Sequence, residues 1–141
     1  MMVELIKVEV PASIEQDFNP NDSVWVDGKL RILRGTRYDT FFIQHETREI
    51  PVDKHEDEQA EPEVRQAIFA FPIQVEKPVT YDMVIDAAER AAYNLRSDRE
   101  ANSFSASLSR KARVNGKEDP EVVEHDAFIE EVKAEIKPLF K

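Results

Sequence analysis

The feature that most constrains this fold is a single change in hydrophobic period near residue 80. Before it, apolar side chains recur at every second position, as at Ile6, Val8 and Val10, which is typical of half-buried strands. After it they recur three or four positions apart, as at Val84 and Ala88, which is typical of amphipathic helices. Strands followed by helices, rather than alternating with them, predict an α+β fold.

Residues 1–76 form the predicted β-rich half, a small antiparallel sheet of five to six strands. The strongest local signal is Asp27-Gly28 between two apolar runs, because both central residues of a type I′ hairpin turn need positive φ. The strand at 67–76 is ambiguous. Its apolar run favours a strand, but Val64, Ala67 and Phe71 also have helical spacing. Strands are predicted over residues 2–10, 24–26, 29–33, 38–44, 48–52 and 67–76.

Residues 77–141 form the predicted helical half, with three helices packed against the sheet. Thr80 and Ser97 are suitable N-caps, and Ser97 with Glu100 forms a capping box. Asp119-Pro120 places a cap before a proline at the first helical position. Since neither half alone is long enough to bury much surface, we expect one compact unit.

The net charge of -10, from 29 acidic and 19 basic residues, is concentrated in particular segments. Residues 53–63 hold six acids and one base, net -5, and predict a solvated acidic loop. Residues 96–117 hold six bases and two acids, net +4, whereas residues 118–141 hold eight acids and three bases, net -5. This division predicts an antiparallel pair of helices with complementary faces. A nucleic-acid-binding patch on the basic helix is the alternative.

Composition also excludes several classes of function. The acidic balance argues against general binding of nucleic acids, whose phosphates require clustered cations. The absence of cysteine excludes disulfides and thiolate metal sites, and the three glycines form no phosphate-binding loop. No cofactor is expected. The sequence contains neither a signal peptide nor an apolar run long enough to cross a membrane, so we expect a cytoplasmic protein without membrane contact.

The candidate metal ligands are His45, His55, Glu121 and His125. His45-Glu46 and His55-Glu56 each place an imidazole beside a carboxylate, and Glu121 precedes His125 by one helical turn. The alternative for His125 is a purely structural histidine at the edge of the core. No catalytic residue is assigned, because the chain contains no nucleophile motif.

The segment from Thr80 to Glu100, TYDMVIDAAERAAYNLRSDRE, resembles small uncharacterised proteins of phages, prophages and mobile elements. In these proteins a short β region precedes a helix ending near a tyrosine, here Tyr93, and a second helix begins at a Glu-Ala pair, here Glu100-Ala101. The resemblance implies an accessory or structural role.

The sequence favours a non-catalytic interaction or structural protein that acts through contacts with a protein partner or with further copies of itself. One alternative is a divalent-metal-dependent hydrolase using histidine and carboxylate ligands. A further alternative is an acidic inhibitor of a nucleic-acid-binding protein, which would present a continuous negative surface.

Overall fold

The structure is a computed structural model that describes residues 2–11, 22–52 and 63–140. Its five strands form an antiparallel sheet and precede three helices, which confirms the α+β prediction. The chain divides into two compact units: a sheet unit, Ile6–Pro72, and a helical unit, Met1–Leu5 with Ile73–Lys141. The elements are β1 (Val8–Val10), β2 (Ser23–Val26), β3 (Lys29–Arg34), β4 (Tyr38–Pro51), β5 (Val64–Glu76), α1 (Tyr81–Ala92), α2 (Asp98–Asn115) and α3 (Pro120–Ile136).

The sheet has the strand order β1-β5-β4-β3-β2, so the short strands β1 and β2 are its edges. The hairpin predicted at Asp27-Gly28 joins β2 to β3, and both residues have positive φ, 53° and 75°. Val10, Leu30, Phe42 and Ala70 form a buried cluster in this unit.

Strand β4 is longer than the sequence pattern predicts. The expected strands 38–44 and 48–52 are one continuous strand, in which Gln44 has a φ of 54°. A residue in this conformation alters the strand's local twist without ending it, as in a β-bulge. The strand predicted at 67–76 is confirmed, as the greater part of β5.

The far ends of β4 and β5 form an exposed two-stranded ribbon. The Val52 N–H donates to the Glu63 carbonyl at 2.8 Å, and residues 47–49 and 63–66 are exposed. The ribbon ends at the acidic run of residues 53–63. The loop predicted there lies outside the described residues except for Glu63.

The first strand is shorter than its alternating pattern predicts. Only Val8–Val10 pair in the sheet, because the preceding residues bond to helices instead. The Met2 N–H donates to Glu124 Oε1 at 3.0 Å, and the Val3 N–H donates to the Ala92 carbonyl at 2.8 Å. Residues 2–5 therefore belong to the helical unit.

The helices begin where the capping residues predict. Thr80 accepts a hydrogen bond from the Met83 N–H, Ser97 from the Glu100 N–H, and Asp119 from the N–H groups of its first turn. Helix α3 supplies much of this unit's core, whereas α2 fully buries only Ala101 of its 18 residues. Among the described residues, no helix has the length and apolarity needed to cross a bilayer. The buried apolar residues of α1 and α3 are Val84, Ala88, Ala92, Val122, Phe128, Ile129, Val132 and Ile136.

Candidate interaction surface on the helical unit

Helices α2 and α3 lie antiparallel, as the division of charge predicts. The ring of Phe104 lies 5.7 Å from that of His125, Lys111 bonds to Glu121, and Asn115 Nδ2 donates to Asp119 at 2.8 Å. Residues later in α2 thus contact residues earlier in the chain around α3, which is the arrangement of antiparallel helices.

Fewer basic side chains form ion pairs between α2 and α3 than the sequence predicts. Of the six bases in residues 96–117, Lys111 alone forms an ion pair with α3 among the described residues. Arg96 instead approaches Asn94 and, through its backbone N–H, Glu100. Arg99, Arg110 and Arg113 of α2 form no ion pair within the part of the chain that the structure describes.

His125 joins all three helices. Its Nε2 lies 2.7 Å from Glu89 Oε2 on α1, and its Nδ1 lies 3.5 Å from Asp126 Oδ1. The side chains of His125 and Glu89 are only 18% and 20% exposed. The His125 ring also packs on Tyr93, at 5.7 Å, and on Phe104. This arrangement fits a histidine at the core edge, held by a carboxylate and two aromatic rings.

The sequence predicts Glu121 as the neighbour of His125, but the structure places Glu89 there instead. Glu121 precedes it by one turn but bonds to Lys111, whereas Glu89 is 36 residues away in the sequence. Glu89 and Tyr93 are themselves one turn apart near the end of α1, and this spacing is the sequence signal for the cluster.

Tyr93 carries an unusual polar group beside this cluster. Its hydroxyl oxygen is buried and has no hydrogen-bond partner among the described residues. Burial raises the pKa of Tyr93 to about 12, and the negative charges of Glu124 and Glu89 add to this effect.

An open groove of about 430 Å³ lies beside His125. Its lining combines apolar side chains of α2 and α3 with carboxylates and Lys117. Such a groove can accept a side chain of moderate size. The lining residues are Glu89, Ser105, Leu108, Ser109, Ala112, Lys117, Val122, His125 and Asp126.

The groove lacks the contact that serine catalysis requires. Ser105 and Ser109 line it together with His125, but no hydrogen bond in the described part of the chain joins either hydroxyl to the imidazole. A nucleophilic serine needs such a bond to its base. The imidazole is bonded instead to Glu89.

His45, in the sheet unit, is held by its own partners. Its Nε2 lies 2.8 Å from the Leu30 carbonyl, and its Nδ1 lies 3.5 Å from the Arg31 guanidinium. Because a carbonyl only accepts and a guanidinium only donates, the ring carries its hydrogen on Nε2. Burial is the main cause that lowers the pKa of His45, which favours this neutral form.

The candidate metal ligands are therefore not brought together by the described structure. His45 bonds to Leu30 and Arg31, Glu121 bonds to Lys111, and His125 bonds to Glu89. His55 lies outside the described residues. Within residues 2–11, 22–52 and 63–140, no three histidine or carboxylate side chains are grouped as metal ligands.

The most distinctive surface is at the C-terminal end of α2. We call it the basic surface and define it as Arg110, Arg113, Val114 and Lys117, all exposed. Residues three and four apart on a helix are neighbours, so Arg110 borders both Arg113 and Val114. Residues 110–118 hold four bases and one acid, and only Lys111 among those bases has an ion-pair partner in the described structure.

Val114 gives the basic surface an apolar centre. Its side chain is 70% exposed and lies among cations. The two carboxylates of α2 are far from it, in the first turn, where Asp98 binds Arg90 and Glu100 bonds to the Arg96 N–H. An apolar patch rimmed by charge is the usual composition of a protein–protein interface.

Comparison of the chain with protein-family models, curated proteins and solved structures found no match. The resemblance of residues 80–100 to phage and mobile-element proteins accordingly stays a prediction.

Proposed function

We propose that this protein is a non-catalytic interaction module that binds an acidic segment of a protein partner on the basic surface of α2. The observation that carries the proposal is the set of exposed cations without ion-pair partners among the described residues, in a chain with ten more acids than bases. In such a chain an acid is readily available for any base. Cations left unpaired around an exposed valine favour a surface that meets its carboxylates on another molecule.

The shallow packing of α2 supports the same proposal. The helix fully buries Ala101 alone, and Phe104, Leu108 and Ala112 are only half-buried. Burial of Val114 on a partner would add apolar contact to a helix that obtains little from its own core. The adjacent groove, which Lys117 also lines, can receive an apolar side chain from the same partner.

A protein partner is favoured over nucleic acid by the exposed apolar side chain beside the cations. Binding to phosphates makes no use of the exposed Val114. An acidic protein segment with an apolar side chain would use both the cations and the valine.

A titration with short polyglutamate, followed by backbone NMR shifts, tests the proposal. We expect shifts centred on residues 110–117 and a loss of binding in Arg113→Glu, since the new carboxylate repels the probe. Arg34→Glu is the matched control, because Arg34 is an exposed arginine of the sheet unit. It should bind as the wild type does.

The proposal is overturned if the shifts caused by polyglutamate centre on residues other than 110–117, or if the two variants bind equally. Tighter binding of duplex DNA than of polyglutamate at physiological salt would also overturn it, in favour of a nucleic-acid surface.

A further inference from the structure

We propose that the acidic segment bound by the basic surface is the run of residues 53–63 of a second copy of this chain. This inference rests on the proposed function and names its partner. It predicts that the protein self-associates through two different patches, one on each molecule.

The first argument is complementary charge. The basic surface contributes three cations, Arg110, Arg113 and Lys117, whereas residues 53–63 carry a net charge of -5. That run contains half of the net negative charge of the whole chain. No other stretch of eleven residues in the sequence holds as many as six acidic residues.

The second argument is the position of the run in the sheet unit. The Val52–Glu63 backbone bond holds its two ends together at the exposed end of the β4–β5 ribbon. A segment attached in this way is joined to a surface-exposed ribbon rather than to a buried element. The ribbon that carries the run is thus itself exposed to other molecules.

The third argument is apolar complementarity. Val52 and Val64 flank the acidic run and are 37% and 56% exposed, and Val114 lies exposed among the cations of α2. Each patch thus combines charge of one sign with exposed valine. Pairing them would bury apolar area on both sides while the opposite charges meet at the rim.

The two patches differ, so the contact is heterologous. One molecule's run binds the next molecule's α2, which leaves one patch of each kind free at the two ends of a dimer. Association therefore continues to larger species, or closes into a ring, as the protein concentration rises.

Sedimentation velocity over a wide range of protein concentration tests this directly with the full chain. We expect growth of the sedimenting species at about 0.01 M salt, where the screening length is about 30 Å, and its loss at about 1 M, where it is about 3 Å. A single species whose size is independent of concentration at low salt overturns the inference, since an intramolecular contact would not respond to dilution.

A charge exchange identifies the patches. The first variant is R110E/R113E, and the second is D57K/E58K in the acidic run; circular dichroism checks that each is folded. Each variant alone should associate about tenfold or more weakly than the wild type, because R110E/R113E changes the charge of the basic surface from +3 to -1, and D57K/E58K reduces the charge of the acidic run from -5 to -1. Mixing the two should restore association as far as a heterodimer, since the acidic run of the first then meets the unaltered basic surface of the second, whereas the two altered patches, each of net charge -1, do not pair.

The polyglutamate titration separates failure of this inference from failure of the proposed function. If polyglutamate binds α2 but the mixture of variants does not associate, the partner is a different acidic protein and the inference is wrong. If polyglutamate does not bind α2 either, the proposed function is also wrong.

Discussion

Replacing Tyr93 by phenylalanine should stabilise the helical unit, although the residue packs against two rings. The variant keeps the contacts with Phe104, at 4.4 Å between centroids, and with His125, at 5.7 Å. It removes a buried hydroxyl that has no hydrogen-bond partner among the described residues. A buried unsatisfied donor costs about 1–3 kcal/mol. Since little else changes, we expect the free energy of unfolding to rise by about 1 kcal/mol.

The same substitution should change the response to alkaline pH. The pKa of Tyr93 is about 12 in the folded protein, mainly because of burial, against about 10 for an unfolded tyrosine. Between these values the unfolded state releases the proton first, so stability falls as pH rises from about 10 to about 12. The difference corresponds to at most about 2.7 kcal/mol, and because the ring is only half-buried, solvent screening reduces it to about 1–2 kcal/mol. Tyr93→Phe should lack this loss.

Urea unfolding followed at 222 nm measures the effect, because the three helices lie in the helical unit. Tyr38→Phe is the control, since Tyr38 is an exposed tyrosine of the sheet unit, and its effect should stay within about 0.5 kcal/mol. Destabilisation by Tyr93→Phe of more than about 1 kcal/mol at neutral pH would refute the reasoning, because the hydroxyl would then have a favourable partner.

Three further predictions concern a cap, a turn and a half-buried histidine. Ser97→Ala should lower stability by about 1 kcal/mol in the 222 nm transition, because the Glu100 N–H loses its acceptor; no change would mean that the cap is dispensable. Gly35→Ala would place a Cβ 2.5 Å from the Tyr38 carbonyl oxygen, so it should cost about 2 kcal/mol in a transition followed by Trp25 fluorescence, and an unchanged midpoint would contradict this geometry. The pKa of His45 is lowered mainly by burial, so the unfolded state binds its proton first and stability should fall as pH drops below about 6.5. His45→Gln should remove that part of the acid sensitivity, and an identical pH profile for the variant would contradict it.

Local signals in the sequence predicted the parts of the fold that local energetics determine. Asp27-Gly28 forms its turn because few other residues accept positive φ at both positions. Ser97 and Asp119 begin helices because their side chains accept the free N–H groups of the first turn. These interactions span only a few residues, so they can be recognised without knowledge of the rest of the chain.

The sequence pattern did not predict the contacts between residues that are far apart in the sequence. Residues 2–7 alternate like a strand, yet Met2 and Val3 bond to Glu124 and Ala92, and this tertiary contact overrides the β pattern. Glu89 was missed as the partner of His125 for the same reason. The sequence predicts the positive charge of α2, but it does not predict which of its cations pair with α3. Only the packing of the helix shows that Lys111 bonds to α3 while Arg110 and Arg113 are exposed.

The attachment of residues 2–5 to α1 and α3 has a consequence for synthesis on the ribosome. The helical unit is discontinuous in sequence, since Met1–Leu5 precedes the entire sheet unit and Ile73–Lys141 follows it. Residues 6–72 are therefore translated in full before any helix exists. They can begin to fold before α1 and α3, to which residues 2–5 bond, have been synthesised. The helical unit can be completed only after α3 has left the exit tunnel, so residues 2–5 are synthesised before the sheet unit but form their native contacts after it can fold.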